Sequence, residues 1–314
     1  MRCRPPERLR APGRAGRLRN AVTLDRDTEP ATSLETIMIE NTILAANRQG
    51  RKALVFSMTY KDLWAVEAAA QVGFDAVSLD GEHGAFSPAD VDDIVRVANG
   101  YGLSVIARIP NIQPNTVNLW LDRGIQGVTG PHIETQAEAQ SLADACLFPP
   151  AGWRSWGGGR GTEFNDAQKL QEKYGGKLGF ATWANRNMLV IAQIESKTAY
   201  NNLDGILSVP GLTSITGGPH DLAASLGYPG EPDHPECQRL TEEAARRARA
   251  AGKTVNSDMV ASTGLPELIL GAARQFAAAH RNDAYVPPPE AAPARKKAAA
   301  PRGAARRPQR PKRA

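Results

Sequence analysis

The sequence predicts an α/β chain folded as a (β/α)8 TIM barrel. Short β-branched runs alternate with amphipathic helical segments, and the alternation recurs about every 25–30 residues. The repeat continues for about 250 of the 314 residues. Such alternation means parallel strands joined by helical crossovers, and a run of that length suits a closed barrel.

The elements follow in order. Predicted strands lie at 53–58 (ALVFSM), 75–80 (DAVSLD), 103–109 (LSVIARI), 125–130 (IQGVTG), 187–195 (NMLVIAQIE), 212–218 (LTSITGG) and 253–258 (KTVNSD). Predicted helices lie at 61–72, 88–99, 114–123, 134–146, 197–207, 236–251 and 264–273. An eighth strand is expected near 275–280. There GAARQFAAAHRNDAYVPPPEAA begins with apolar residues and then loses the β-branched pattern, so closure at the C-terminal end is expected to be atypical or incomplete. A doubly wound sheet would require a glycine-rich phosphate turn after its first strand. Here that strand runs into SMTYKDL.

Hydrophobic residues make up 41% and charged residues 23%, as in globular chains. No run approaches 18 apolar residues, so a spanning helix is not expected. Cys3, Cys146 and Cys237 stand far apart without a CxxC, which fits a reducing cytoplasm rather than a disulfide scaffold. The net charge of +5 is unevenly placed: residues 1–19 carry +6, residues 287–314 carry +8, and the body carries −9. An acidic body is a poor surface for specific nucleic-acid binding. Three segments are expected: a disordered basic leader (1–37), the barrel (38–286) and a disordered Ala/Pro/Arg/Lys tail (287–314). The leader lacks an apolar signal core, and an ordinary sequence starts at Met38.

Barrel active sites form at the C-terminal ends of the strands. Polar and ionisable residues recur there: Asp80, Glu82 and His83 after the second strand, Arg108 at the third, His132 after the fourth, Gln193 and Glu195 at the fifth, His220 and Asp221 after the sixth. Glu195 and Asp221 stand about one βα unit apart, so two carboxylates could hold one hard divalent cation. The alternative is that each caps a helix, as Asp221 could before DLAASLG. His83, between a carboxylate and a glycine, suits proton transfer near neutral pH or a backbone hydrogen bond. Arg108 ends an apolar strand and needs an anionic partner, either a ligand oxyanion or a carboxylate such as Asp80 or Asp122. His132 and His220 read as rim or packing residues. The segment Gly217-Gly218-Pro219 before a helix could present free backbone N–H groups to a carboxylate. RSWGGGRG (154–161) lacks the GK[ST] of a P-loop and reads as a flexible flap or subunit contact.

The segments FDAVSLDGEHGAF, GLSVIARIP, LDRGIQGVTGPHIET, FPPAGWRSWGGGRG, VIAQIES and ITGGPHDLAASLG, in this order, resemble the HpcH/HpaI aldolase family over roughly residues 38–260. The resemblance implies a barrel of the phosphoenolpyruvate/pyruvate type, assembled as a homohexamer. It implies a metal-dependent pyruvate aldolase acting on 4-hydroxy-2-oxo acids, with pyruvate or a 2-oxo acid plus an aldehyde as small-molecule partners. The implied metal ligands are Glu195 and Asp221, with Mg2+, Mn2+, Co2+ or Zn2+ as the cofactor. His83 would be the base, Asp122 the acid that pairs with it, and Arg108 the stabiliser of the oxyanion. Gln193, Gly218, Pro219 and His220 would contact substrate, with Asp80 and Glu82 behind them. The alternatives are a catalytically impaired barrel binding partners through its basic tails, and a CoA-ester lyase of the same superfamily.

Overall fold

Each βα unit is built from a short apolar strand and a capped helix. The structure, a computed structural model, describes residues 37–286. The expected leader and tail therefore lie outside the described residues, apart from Ile37. The elements run α1 (Thr42–Arg48), β1 (Ala53–Met58), α2 (Leu63–Gln71), β2 (Ala76–Asp80), α3 (Pro88–Gly100), β3 (Ser104–Arg108), α4 (Pro114–Leu121) and β4 (Gly127–Gly130). They continue with α5 (Gln136–Cys146), α6 (Ala167–Tyr174), α7 (Lys177–Arg186), β5 (Leu189–Ile194), α8 (Lys197–Asn201), α9 (Leu203–Leu207), β6 (Ser214–Gly217) and α10 (Pro219–Leu226). The last are α11 (Pro235–Ala250), β7 (Thr254–Val255), α12 (Asn256–Met259), β8 (Val260–Gly264) and α13 (Leu265–His280). Helix starts follow sequence chemistry: Ser87 and Thr135 close capping boxes with Asp90 and Glu138 at α3 and α5.

All eight strands are parallel, in the order β7-β6-β5-β4-β3-β2-β1-β8. β7 and β8 share no ladder, although only Asn256–Met259 separates them. Five Cα steps reach at most about 19 Å, whereas a flat sheet of eight strands would be about 33 Å wide. The sheet must therefore curl, bringing its two edges closer than a flat sheet allows. The fold is a TIM-barrel-like α/β sheet with incomplete closure.

Two apolar layers hold it. One, between strands and helices, includes Val77, Leu79, Val105, Ala107, Val128, Val190 and Ala192. The other fills the barrel's lower interior with Val55, Ala76, Ile106, Leu189, Ile191 and Val260, and α1 plugs it with Ile43 and Ala46. Asn41, fully buried, stitches that plug in place. Its side chain accepts from the N–H groups of Ile43 and Leu44 and donates to the carbonyls of Gln126 and Asn187.

The expected eighth strand is corrected. Residues 275–280 are helical, within α13, because GAARQFAAAH is rich in alanine, the strongest helix former. The strand that pairs with β1 is Val260–Gly264, reached from β7 through one short turn without a full crossover helix. The described residues divide into two units after Leu265. Within the second unit, Phe276 and His280 pack ring to ring at 4.6 Å. Among the described residues, no helix is long and apolar enough to cross a membrane.

Candidate active site

Strand register builds the first half of the site. β2 and β3 pair with Asp80 opposite Arg108, so both side chains leave the same face of the sheet. They meet as a fork: Arg108 Nε donates to Asp80 Oδ1 at 2.9 Å and Nη2 to Oδ2 at 2.6 Å. Nη1 lies 2.9 Å from Glu82 Oε2. The anionic partner that the sequence demanded for Arg108 is thus Asp80, joined by Glu82, and not Asp122. Two of the five guanidinium N–H groups remain to donate. Burial works against the Arg108 charge, but the Asp80 hydrogen bonds and the charges of Asp80, Glu82 and Glu195 outweigh it and raise its pKa.

The Asp-Gly-Glu-His-Gly loop is tight for a steric reason. A Cβ at Gly81 would lie 2.6 Å from the Trp120 ring, and one at Gly84 would lie 2.1 Å from the Asp80 carbonyl oxygen. Asp80 Oδ1 also accepts from the N–H groups of Glu82 and His83. The His83 ring is exposed, with Nε2 3.9 Å from Glu82 Oε2.

The second half comes from β4, β5 and β6. Glu195 follows β5 and is 2% exposed. Its Oε2 accepts from Gln193 Nε2 at 2.5 Å, while Gln193 Oε1 is buried without a hydrogen-bond partner among the described residues. Its Oε1 accepts from the His132 backbone N–H at 3.0 Å and lies 2.9 Å from His132 Nδ1. His132 Nε2 lies 3.0 Å from Glu82 Oε1. His132 adopts a left-handed backbone, φ 52°, which is uncommon outside glycine. His132, expected as a rim or packing residue, is 64% exposed at its side chain, and its ring bridges the two halves of the site. The GPH tripeptide after a strand was the available signal, and its meaning depended on the fold.

Gly218 presses on the same carboxylate: a Cβ there would stand 2.1 Å from Glu195 Oε2. Gly218 is also the N-cap of α10, without a side-chain cap. Pro219, His220 and Asp221 form the exposed first turn. The capping alternative for Asp221 therefore falls, since Gly218 holds that position. Among the described residues, no three His, Cys, Asp or Glu side chains already surround a point suited to a metal ion.

Asp122 stands elsewhere. It ends α4 and lies under the glycine-rich loop, where a Cβ at Gly157 would meet Asp122 Oδ1 at 2.3 Å and one at Gly159 would meet the Asp122 carbonyl at 2.4 Å. Burial raises its pKa against the lowering charges of Arg154 and Arg123. Arg154 is buried, donates to the carbonyls of Leu121 and Gly161, and covers the Phe148 ring at 4.5 Å. Burial lowers its pKa to about 10. The segment expected as a flexible flap is thus pinned to α4. Among the described residues, no hydrogen bond or ion pair joins Asp122 to His83.

A family model described as HpcH/HpaI aldolase/citrate lyase matches residues 52–281. A 4-hydroxy-2-oxovalerate aldolase of Rhodococcus jostii is 33% identical over 217 residues, covering 68% of this chain and 79% of that protein. A 2-keto-3-deoxy-L-rhamnonate aldolase of Shigella sonnei is 32% identical over 206 residues, covering 66% and 74%. The crystal structure of an HpcH/HpaI aldolase from Desulfitobacterium hafniense superposes with a TM-score of 0.70 at 22% identity, covering 80% of this chain and 100% of that one. At that identity the likeness speaks for the fold. An HpcH/HpaI aldolase/citrate lyase family protein from Burkholderia cenocepacia gives a TM-score of 0.64 at 25% identity, covering 73% and 95%.

Proposed function

The chain belongs to the HpcH/HpaI aldolase/citrate lyase family, and we propose that it is a divalent-metal-dependent aldolase. The reaction is cleavage or formation of 4-hydroxy-2-oxo acids through a pyruvate enolate. Relatives named for 4-hydroxy-2-oxovalerate and 2-keto-3-deoxy-L-rhamnonate support this reaction class.

The observation that carries the reading is the environment of Glu195. A carboxylate 2% exposed needs a cation or strong donors. Its neighbours are one amide, one backbone N–H and one imidazole, with an orphaned amide oxygen, Gln193 Oε1, beside it. That donor set fits a hard or borderline divalent ion held by Glu195 and Asp221: Mg2+, Mn2+, Co2+ or Zn2+. When bound, the ion supplies Lewis-acid polarisation of the 2-oxo group.

The chain's own residues do the rest. The backbone around Gly218, with Gln193, Pro219 and His220, binds and orients the substrate carboxylate. Arg108, fixed by Asp80 and Glu82, directs its remaining N–H groups at the oxygen that gains negative charge. His83, on the exposed loop, takes and returns the proton. Assembly as a homo-oligomer, a hexamer by family likeness, belongs to the same proposal.

The test is pyruvate release from 4-hydroxy-2-oxo acids, followed with lactate dehydrogenase and NADH. Release should require a divalent ion, stop with chelator, and fall at least ~100-fold in Glu195→Gln. A folded, metal-supplemented protein that released pyruvate from none of them would speak against the reading.

A further inference from the structure

We propose that the cavity between the end of α4 and the glycine-rich loop binds a small carboxylic acid with an apolar stem, and that Arg160 is its anchor. The assignment is separate from the metal-dependent reaction and does not rest on it.

An unpaired charge comes first. Arg160 is half-buried, and among the described residues its guanidinium makes no hydrogen bond or ion pair. Burial and the charge of Arg96 both lower its pKa, against the smaller effects of Asp92 and Glu163. A charge taken partly out of water is costly unless an anion joins it. The neighbouring cations are already engaged. Arg96 pairs with Asp93, and Arg123 with Asp92 and the carbonyls of Pro88 and Leu119.

The unpaired group is also held in place. The Arg160 stem lies on Gly124, where a Cβ would come 3.0 Å from Arg160 Cδ and 3.1 Å from Cγ. Glu163, Phe164 and Asn165 then follow with left-handed backbone, φ 52°, 54° and 58°. Such conformations are strained outside glycine, and strain of this kind gathers at ligand clamps.

The cavity measures about 690 Å³, within the size range of small-molecule sites. Three arginines, 96, 123 and 160, line it with Asp92 and Asp122, which leaves one net positive charge. That balance suits a monoanion and disfavours a dianion such as phosphate, which Asp92 and Asp122 would repel. A carboxylate matches the guanidinium fork with two parallel hydrogen bonds. Gly158 and Gly159 also line the cavity, and their backbone N–H groups meet no acceptor among the described residues. Leu119 and Phe164, both about half exposed, supply the apolar wall for the stem.

The experiment is saturation-transfer difference NMR of butyrate with the full-length protein, with inorganic phosphate and acetate as competitors. Butyrate should bind the wild type and bind Arg160→Met at least ~10-fold more weakly. Methionine keeps the stem without the charge. Arg160→Lys, which keeps the charge without the fork, should fall between the two. Acetate should displace butyrate more readily than phosphate does. Binding that is absent from the wild type, or equal in wild type and Arg160→Met, overturns the site. Phosphate displacing butyrate more readily than acetate overturns the carboxylate class. Light scattering supplies the remaining outcome. An assembly mass that falls in Arg160→Met, with no butyrate bound by the wild type, would assign the guanidinium to a contact between copies and overturn the small-acid site.

Discussion

Gly218 lies against Glu195: no side chain fits on Gly218 unless Glu195 moves, because a Cβ there would come within 2.1 Å of Glu195 Oε2. The backbone itself, φ −133° and ψ 87°, does not demand glycine. The requirement comes from the carboxylate, which belongs to the proposed metal site. Gly218→Ala should therefore displace Glu195 and reduce pyruvate release by about 100-fold or more, while circular dichroism stays unchanged. An alanine variant with full activity would show that the contact has no bearing on the chemistry.

Asp80 gives a pH prediction. Burial alone would raise its pKa, but the Arg108 hydrogen bonds, with the N–H groups of His83 and Glu82, hold it below the ordinary value. The folded value is thus lower than the unfolded one. The stabilisation is complete above the usual carboxylate range, about pH 4, and is lost as pH falls through the folded value. Asp80→Asn should cost about 1–2 kcal/mol at pH 7, kept small because almost a quarter of each partner's side chain meets solvent. Urea unfolding of the two proteins should converge below about pH 4. A gap that widened in acid would reverse the assignment.

Arg154 tests whether the glycine-rich loop is pinned. Arg154→Ala leaves the carbonyls of Leu121 and Gly161 without this donor and uncovers Phe148. The expected cost is about 2–3 kcal/mol, together with faster proteolysis within 154–161. Arg154→Met restores volume without the donors and should recover only part of the loss. Unchanged stability and unchanged cleavage in both variants would mean that the glycine contacts with Asp122 hold the loop by themselves.

How much of this could be read from residue order depends on the element. The strands up to β6 carry apolar, β-branched runs, so their positions were legible to within a residue or two of the final bounds. The C-terminal region was not legible in the same way. VASTG has little of a barrel strand's apolar character, and it is a strand because β1 offers it a ladder from Ala53 to Ser57. The alanine-rich segment after it satisfies its own backbone as α13. At the site, the polar strand ends pointed to Asp80, Arg108 and Glu195. The Asp80–Arg108 fork needed the register of β2 against β3. The bridge through His132 needed its positive φ, which no residue pattern announces.

The most direct test is proton–deuterium exchange of the pyruvate methyl group, followed by NMR, because it needs no knowledge of the aldehyde. The full-length protein with Mn2+ or Mg2+ should catalyse exchange, chelator should abolish it, and Glu195→Gln and Asp221→Asn should each slow it by about 100-fold or more. Absence of exchange from folded, metal-loaded protein, or exchange indifferent to chelator and to both substitutions, would contradict a metal-dependent enolate at Glu195 and Asp221.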